Sequence, residues 1–169
     1  MTRFTTSWHS TPVGDVLAAF ADDALIAVSL EHGARDEAIA RISGVVGEAP
    51  EHDDTAAAEL GTQLDEYFAG FRRTFDLQLD WRLANGFTRQ ALEAIREIPY
   101  GETASYGEVA ARAGSPRAAR AVGAACRTTP FSLVVPVHRV VRADGSIGEY
   151  GGHPEVKHAL LALEGVVSE

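Results

Sequence analysis

Apolar positions along this chain follow two kinds of pattern, and the change between them falls near residue 85. Phe4–Trp8, Val16–Phe20 and Ala24–Leu30 are short β-prone runs, separated by Thr11-Pro12-Val13-Gly14 and by Asp22-Asp23, and they predict a β-meander. Ala34–Val45 and Thr55–Phe71 predict helices. In the second, Thr55 can cap, and Leu60, Leu64, Tyr67, Phe68 and Phe71 recur at i, i+4, i+7, i+8 and i+11. Thr74–Leu79 reads as one more strand, and Asp80–Phe87 links it to the second half of the chain.

The pattern then turns helical. Thr88 can cap a helix to about Ile98 that buries Ala91, Ile95 and Ile98, and Pro99-Tyr100-Gly101 ends it. Ser105 and Glu108 have capping-box spacing at the head of Tyr106–Ala113, which Gly114 stops. Ser115 is placed to cap a further helix, with Pro116 at its first position, running to about Arg127. Two short helices joined through a Gly-Ser turn have the shape of a helix-turn-helix, whose second helix enters a DNA groove. The expected fold class is α/β (α+β): a small N-terminal α/β domain, residues 1–85, and a mostly helical C-terminal domain, residues 86–169. No internal repeat or low-complexity tract interrupts this plan.

Composition narrows the class. With 169 residues, 46% of them apolar and 23% charged, the chain has globular values and enough length for a core. Its one cysteine, Cys126, excludes an intrachain disulfide and a thiol-rich zinc site, so neither metal nor cofactor is expected. No apolar run approaches the roughly 20 residues that span a bilayer. The opening Met1-Thr2-Arg3-Phe4-Thr5-Thr6-Ser7 has no apolar signal-peptide core, so the expectation is a cytoplasmic protein with no membrane partner.

A net charge of −9 argues against nucleic acid until it is divided. Residues 1–85 hold 6 Arg against 15 Asp+Glu and carry the whole imbalance, whereas residues 86–169 balance 9 basic against 9 acidic groups. Between Val109 and Ala143 stand Arg112, Arg117, Arg120, Arg127, Arg139 and Arg142 and no acid, a candidate phosphate footprint. The plainer reading is a solvated surface in an arginine-rich chain. Similarly, the second helix of the pair carries Arg117, Arg120 and Arg127 among small side chains, with no Asn, Gln or Lys to read base edges. Small residues let a helix approach a groove closely. They also suit an ordinary packing helix.

Further segments define a resemblance. They are Ile98-Pro99-Tyr100-Gly101-Glu102-Thr103, Ser105-Tyr106-Gly107-Glu108, Ala118-Ala119-Arg120-Ala121-Val122-Gly123, Val134-Val135-Pro136 followed by His138-Arg139-Val140-Val141, Asp144-Gly145, Tyr150-Gly151-Gly152, and the close from Lys157 through Leu160-Leu161 to Glu164-Gly165. In this order and spacing, from about Thr88 to Gly165, the second half resembles the active-site domain of the methylated-DNA–protein-cysteine methyltransferases, suicide enzymes that strip alkyl groups from guanine oxygen. The first half is similar in size and pattern to that family's ribonuclease H-like N-terminal domain. The resemblance implies that Tyr106 crowds the target phosphate and rotates the nucleotide out of the stack, and that Arg120 fills the vacated space. It places Arg117, Arg127 and Arg139 on DNA with them. Val135, Pro136, Val137, Tyr150, Gly151 and Gly152 would line the lesion pocket, and His138 and Glu164 would form the base relay. The implied partner is double-stranded DNA containing alkylated guanine, bound by a monomer.

The chain departs from the family where the chemistry is done. The family's Pro-Cys-His-Arg is here Pro136-Val137-His138-Arg139. Valine has no lone pair and no ionisable proton, so it cannot accept an alkyl group. Cys126 is eleven residues away, at the C-terminal end of a helix whose dipole disfavours a thiolate, and it reads as a small buried apolar side chain. Thr129-Pro130 stands where the family has Asn-Pro, offering one hydroxyl in place of an amide and predicting a looser hinge. Three readings are open: an alkyltransferase-like lesion binder that transfers nothing and flags damage for nucleotide excision repair; a methyltransferase inactivated by a Cys-to-Val replacement; or a DNA-binding regulator or partner-binding module on the same scaffold. In the lesion binder, Val137 would present methyl groups to the alkyl substituent.

Overall fold

The computed structural model describes residues 1–167. The chain divides into two compact units, Met1–Leu83 and a second beginning at Ala84. No helix among the described residues is long and apolar enough to cross a membrane.

In the first unit, β1 (Phe4–Thr11), β2 (Gly14–Ala21) and β3 (Ala24–Glu31) form the antiparallel meander. A short β4 (Glu51–His52) joins β1 in parallel, giving the order β3-β2-β1-β4. Central strand β2 is buried continuously from Val16 to Ala21, as a strand covered on both faces must be. One core cluster gathers Leu17, Ala19 and Ile26 from the sheet with Ala38 and Ile42 of α1 (Arg35–Val46). α2 (Ala58–Phe68) packs against β1 and buries Leu60, Leu64 and Tyr67.

Two expectations for this unit fail locally. Thr55 does not cap α2: its N–H and hydroxyl both bond Asp53 Oδ1, and the helix starts after Ala57 without a side-chain cap. Phe71 leaves the apolar stripe and is 84% exposed. The cause is Gly70, at φ 84°, which closes the helix by a Schellman motif in which Phe71 N–H bonds Glu66 O and Gly70 N–H bonds Tyr67 O. Thr74–Leu79 forms no strand. It contributes one bridge, Leu79 to Leu25, because Gln63 already occupies the backbone of Asp76, accepting its N–H and donating to its carbonyl.

The second unit packs three helices on one another: α3 (Gly86–Arg96), α4 (Tyr106–Arg112) and α5 (Ala119–Thr128). α6 (Pro154–Leu163) sets Val156, Leu160 and Leu161 into the interior. A small parallel sheet pairs β5 (Ala104–Ser105) with β6 (Val140–Val141). Ala91, Ile95 and Ile98 are buried as expected, but the cap of α3 is Asn85, and Thr88 lies inside the first turn. The capping box is complete: Glu108 N–H bonds Ser105 Oγ at 3.1 Å and Ser105 N–H bonds Glu108 Oε1 at 3.3 Å.

The turn between the paired helices differs from its expected chemistry. Ser115 is not an N-cap, and Pro116 does not begin a helix. Ser115 N–H closes α4 on Ala110 O behind Gly114 at φ 88°, and Ser115 O accepts Ala118 N–H in a separate turn. α5 therefore starts at Ala119, three residues later than expected, uncapped by any side chain. The helix-turn-helix stands, with Arg117 in its turn and Arg120 in the first turn of its second helix.

Candidate functional site

The arginines of the helix pair differ electrostatically from the others. In the first unit Arg3, Arg35, Arg41, Arg72 and Arg82 all contact carboxylates. Arg117, Arg120 and Arg127 are exposed, with no ion pair among the described residues. Unpaired guanidinium groups along one helix and the turn before it concentrate uncompensated positive charge on that surface. Gly123 lies beside Arg127 and Tyr106: a Cβ there would make ordinary van der Waals contact with Arg127 Nη1 at 3.5 Å and the Tyr106 ring at 4.0 Å. Tyr106, the first residue of α4, is half-buried, and burial raises its phenol pKa.

Arg139 does not belong to that face. It is 6% exposed, and its guanidinium is fully engaged. Nε bonds Glu164 Oε1 at 2.8 Å, Nη2 bonds Glu164 Oε2 at 3.0 Å, and Nη1 donates to Ile98 O at 2.8 Å. The expectation of a DNA contact is overturned by this burial. Sequence alone could not separate Arg139 from its neighbours, because its partner Glu164 lies 25 residues away.

The same carboxylate holds His138. Glu164 Oε2 is 2.7 Å from His138 Nε2, and Gly101 N–H adds a longer bond to Oε1 at 3.4 Å. A carboxylate paired with Arg139 is an acceptor, so Nε2 carries the imidazole proton and Nδ1 presents a lone pair. Nδ1 is buried without a hydrogen-bond partner among the described residues. Burial pushes the His138 pKa down, against the opposing pull of Glu164, so the ring is neutral at physiological pH. The arrangement is an oriented base with no acid to serve. Val137, in the 3₁₀ turn Val137–Arg139, is itself buried at 5% exposure. Val135 and Pro136 precede it in the interior, and Val137 N–H bonds Val135 O.

The other residues expected to line a lesion pocket, Tyr150, Gly151 and Gly152, lie on the segment between β6 and α6. Tyr150 has its hydroxyl buried and without a hydrogen-bond partner among the described residues, and Gly151 and Gly152 are exposed at positive φ, 56° and 81°. Cys126 is half-buried and within electrostatic reach of Tyr106, Tyr150 and Lys157. Burial pushes its thiol up to about 11, so it is protonated and a poor nucleophile. Thr129 caps α5 and uses its hydroxyl locally, accepting Phe131 N–H at 3.0 Å. Sequence reading missed Lys157 as part of this region. Its signal was available: the chain's single lysine stands in helical register with buried Leu160 and Leu161.

The second unit thus combines a helix-turn-helix carrying unpaired arginines with a buried His138–Glu164–Arg139 network. Family models agree. Residues 86–166 match the DNA-binding domain, and residues 6–81 the ribonuclease-like domain, of 6-O-methylguanine DNA methyltransferase. The chain belongs to the O6-methylguanine DNA methyltransferase family. A methylated-DNA–protein-cysteine methyltransferase of Mycolicibacterium paratuberculosis is 51% identical over 102 residues, 60% of this chain and 61% of that protein. The chain thus aligns with less than two thirds of that relative's length. The crystal structure of Mycobacterium tuberculosis O6-methylguanine methyltransferase superposes with TM-score 0.81 at 36% identity, covering 97% of this chain and 93% of the other. That of Mycobacterium tuberculosis OGT in complex with DNA gives 0.82 at 35% identity over 95% and 92%.

Proposed function

We propose that this protein binds O6-alkylguanine in duplex DNA, turns the nucleotide out of the helix and holds it without accepting the alkyl group. The bound lesion is thereby marked for another pathway, such as nucleotide excision repair. The observation that carries the reading is Val137, a buried side chain without a lone pair beside an assembled His138–Glu164–Arg139 network. Alkyl transfer needs an attacking electron pair within about 3–3.5 Å of the alkyl carbon. Val137 has none, and Cys126 is a half-buried, protonated thiol.

DNA handling divides among the remaining residues. Arg117 and Arg127 neutralise phosphates. Tyr106, where α4 begins, displaces the target phosphate, and Arg120 replaces the extruded base. Flipping costs a few kcal/mol and is cheapest for a damaged, poorly paired base. Tyr150 and the Val135-Pro136-Val137 backbone then enclose the guanine, while Gly151 and Gly152 keep the mouth open. The buried Tyr150 hydroxyl supplies a donor to an incoming base. Val137 offers methyl groups to the substituent, and each buried CH₂ contributes about 0.8 kcal/mol.

Fluorescent duplexes carrying guanine or O6-methylguanine, followed by intact-protein mass spectrometry, test the reading. Lesion-selective binding with no gain in protein mass is expected. A methyl group on Cys126 would overturn it, and equal affinity for both duplexes would favour a DNA-binding regulator. The intact His138 relay favours a second reading, a methyltransferase lacking only its acceptor. Val137→Cys should then gain one methyl per protein on incubation with methylated duplex.

A further inference from the structure

We propose that Lys157 is the positioning residue of the lesion pocket, its ammonium pinning Glu149, and with it the Tyr150-Gly151-Gly152 wall, to β6 and α6. The inference rests on the lesion-binding reading above and adds what holds the wall in place.

Apart from the packing of Tyr150, segment 142–152 is tied to the rest of the unit by few hydrogen bonds. Among the described residues, its hydrogen bonds run within the segment or to His153: Arg142 N–H to Ser146 O, Gly145 N–H to Arg142 O, Ser146 to Asp144, and Tyr150 O from His153 N–H. The one from outside is Lys157 Nζ to Glu149 O, at 3.5 Å. The same Nζ donates to Val140 O at 2.7 Å. One ammonium thus links strand, helix and wall. Gly145, Gly148, Gly151 and Gly152, all at positive φ, make this segment conformationally permissive, so a single anchor has large leverage over it.

Lys157 is unusual for a structural cation. It is 1% exposed and forms no ion pair among the described residues, so its hydrogen bonds go to carbonyl oxygens, with the Glu149 carboxylate acting only at longer range. Burying a charge on those terms is costly, and a helix needing only packing between Val156 and Leu160 would be served by an apolar side chain. Groups facing it are Cys126 from α5, with Arg142 and Glu149 from the segment itself, and it acts in turn on His138 of the 3₁₀ turn; Cys126 acts on Tyr106 of α4 and Tyr150. Burial brings the Lys157 pKa down to about 8. A proton lost there removes the charge assistance from both bonds, weakening the anchor without changing the fold's apolar core.

The test has two arms. In the full-length wild type, backbone amide resonances of Gly148, Gly151 and Gly152 are followed by NMR from pH 7 to 10. They should move together with a midpoint near 8, and amides that stay flat would overturn the proposal. In Lys157→Met, preference for an O6-methylguanine duplex over undamaged duplex should fall about tenfold while undamaged binding is unchanged. In Lys157→Ala, propylammonium should restore the preference and propanol should not. A folded Lys157→Met with full preference would refute the anchor. If the wild type shows no lesion preference, the lesion-binding reading fails by itself, and the glycine amides still decide the anchor.

Discussion

At the scale of single residues, a few buried charges determine what this site can do. Arg139 meets Glu164 with two guanidinium nitrogens, and both are sealed from solvent. Removing one partner of a buried ion pair leaves an uncompensated charge and costs about 3–5 kcal/mol. Arg139→Leu should lose that much stability in urea denaturation, while any residual binding to undamaged DNA keeps the wild-type salt dependence, since Arg139 touches no phosphate. Lys157 and Cys126 act on stability in opposite directions. The unfolded chain keeps the lysine proton to its ordinary value of 10.5, the folded chain only to about 8, so folding releases a proton between them and stability rises with pH there. The Cys126 thiol is held up from 9.0 to about 11, so above pH 9 folding retains a proton and stability falls. Denaturation midpoints should therefore climb from pH 8 to 9 and level off above it. The climb should be absent in Lys157→Met.

At the scale of elements, helix ends position the residues of the proposed DNA face. The Ser105–Glu108 box fixes where α4 begins and hence where Tyr106 stands. Ser105→Ala should cost about 1 kcal/mol in chemical denaturation, a typical value for losing an N-cap side chain. It should also weaken lesion binding more than undamaged binding, because the residue it displaces is Tyr106. The capping box was legible from a four-residue spacing because both its bonds are local. The start of α5 was not. Ser115-Pro116 carries strong N-cap chemistry, but Gly114 draws the Ser115 N–H back to Ala110 O, and a group committed to ending one helix does not begin the next. Phe71 fell for the same reason, since Gly70 ends α2 before the apolar period is complete.

At the scale of the whole molecule, the uneven charge becomes a division of labour. The first unit carries the acidic excess and pairs its arginines internally, whereas the helix-turn-helix arginines stay unpaired. Arg117→Ala and Arg127→Ala should weaken alkylated and undamaged duplexes alike, each lowering the salt slope of log K by about 1. Arg120→Ala should instead weaken the alkylated duplex at least about tenfold more than the undamaged one, because the role proposed for it begins only when a base leaves the stack. A titration of both duplexes at several salt concentrations separates the two classes. Equal losses for all three variants would remove the flipping role from Arg120.

Much of this was determined by the sequence by itself. The meander, the amphipathic helices and the helix-turn-helix arise from apolar periods and local turn residues, which act over a few positions. The absence of an acceptor at Val137 is a matter of valine's chemistry and needs no coordinates. Tertiary structure alone decided which arginines are free. Arg120 and Arg139 look equivalent in an acid-free stretch, and only folding brings Glu164 against one of them and leaves the other in solvent. It also brought Lys157 beneath Glu149, eight residues back along the chain. Long-range electrostatics in a low-dielectric interior depends on where distant segments meet, and sequence spacing does not encode that distance.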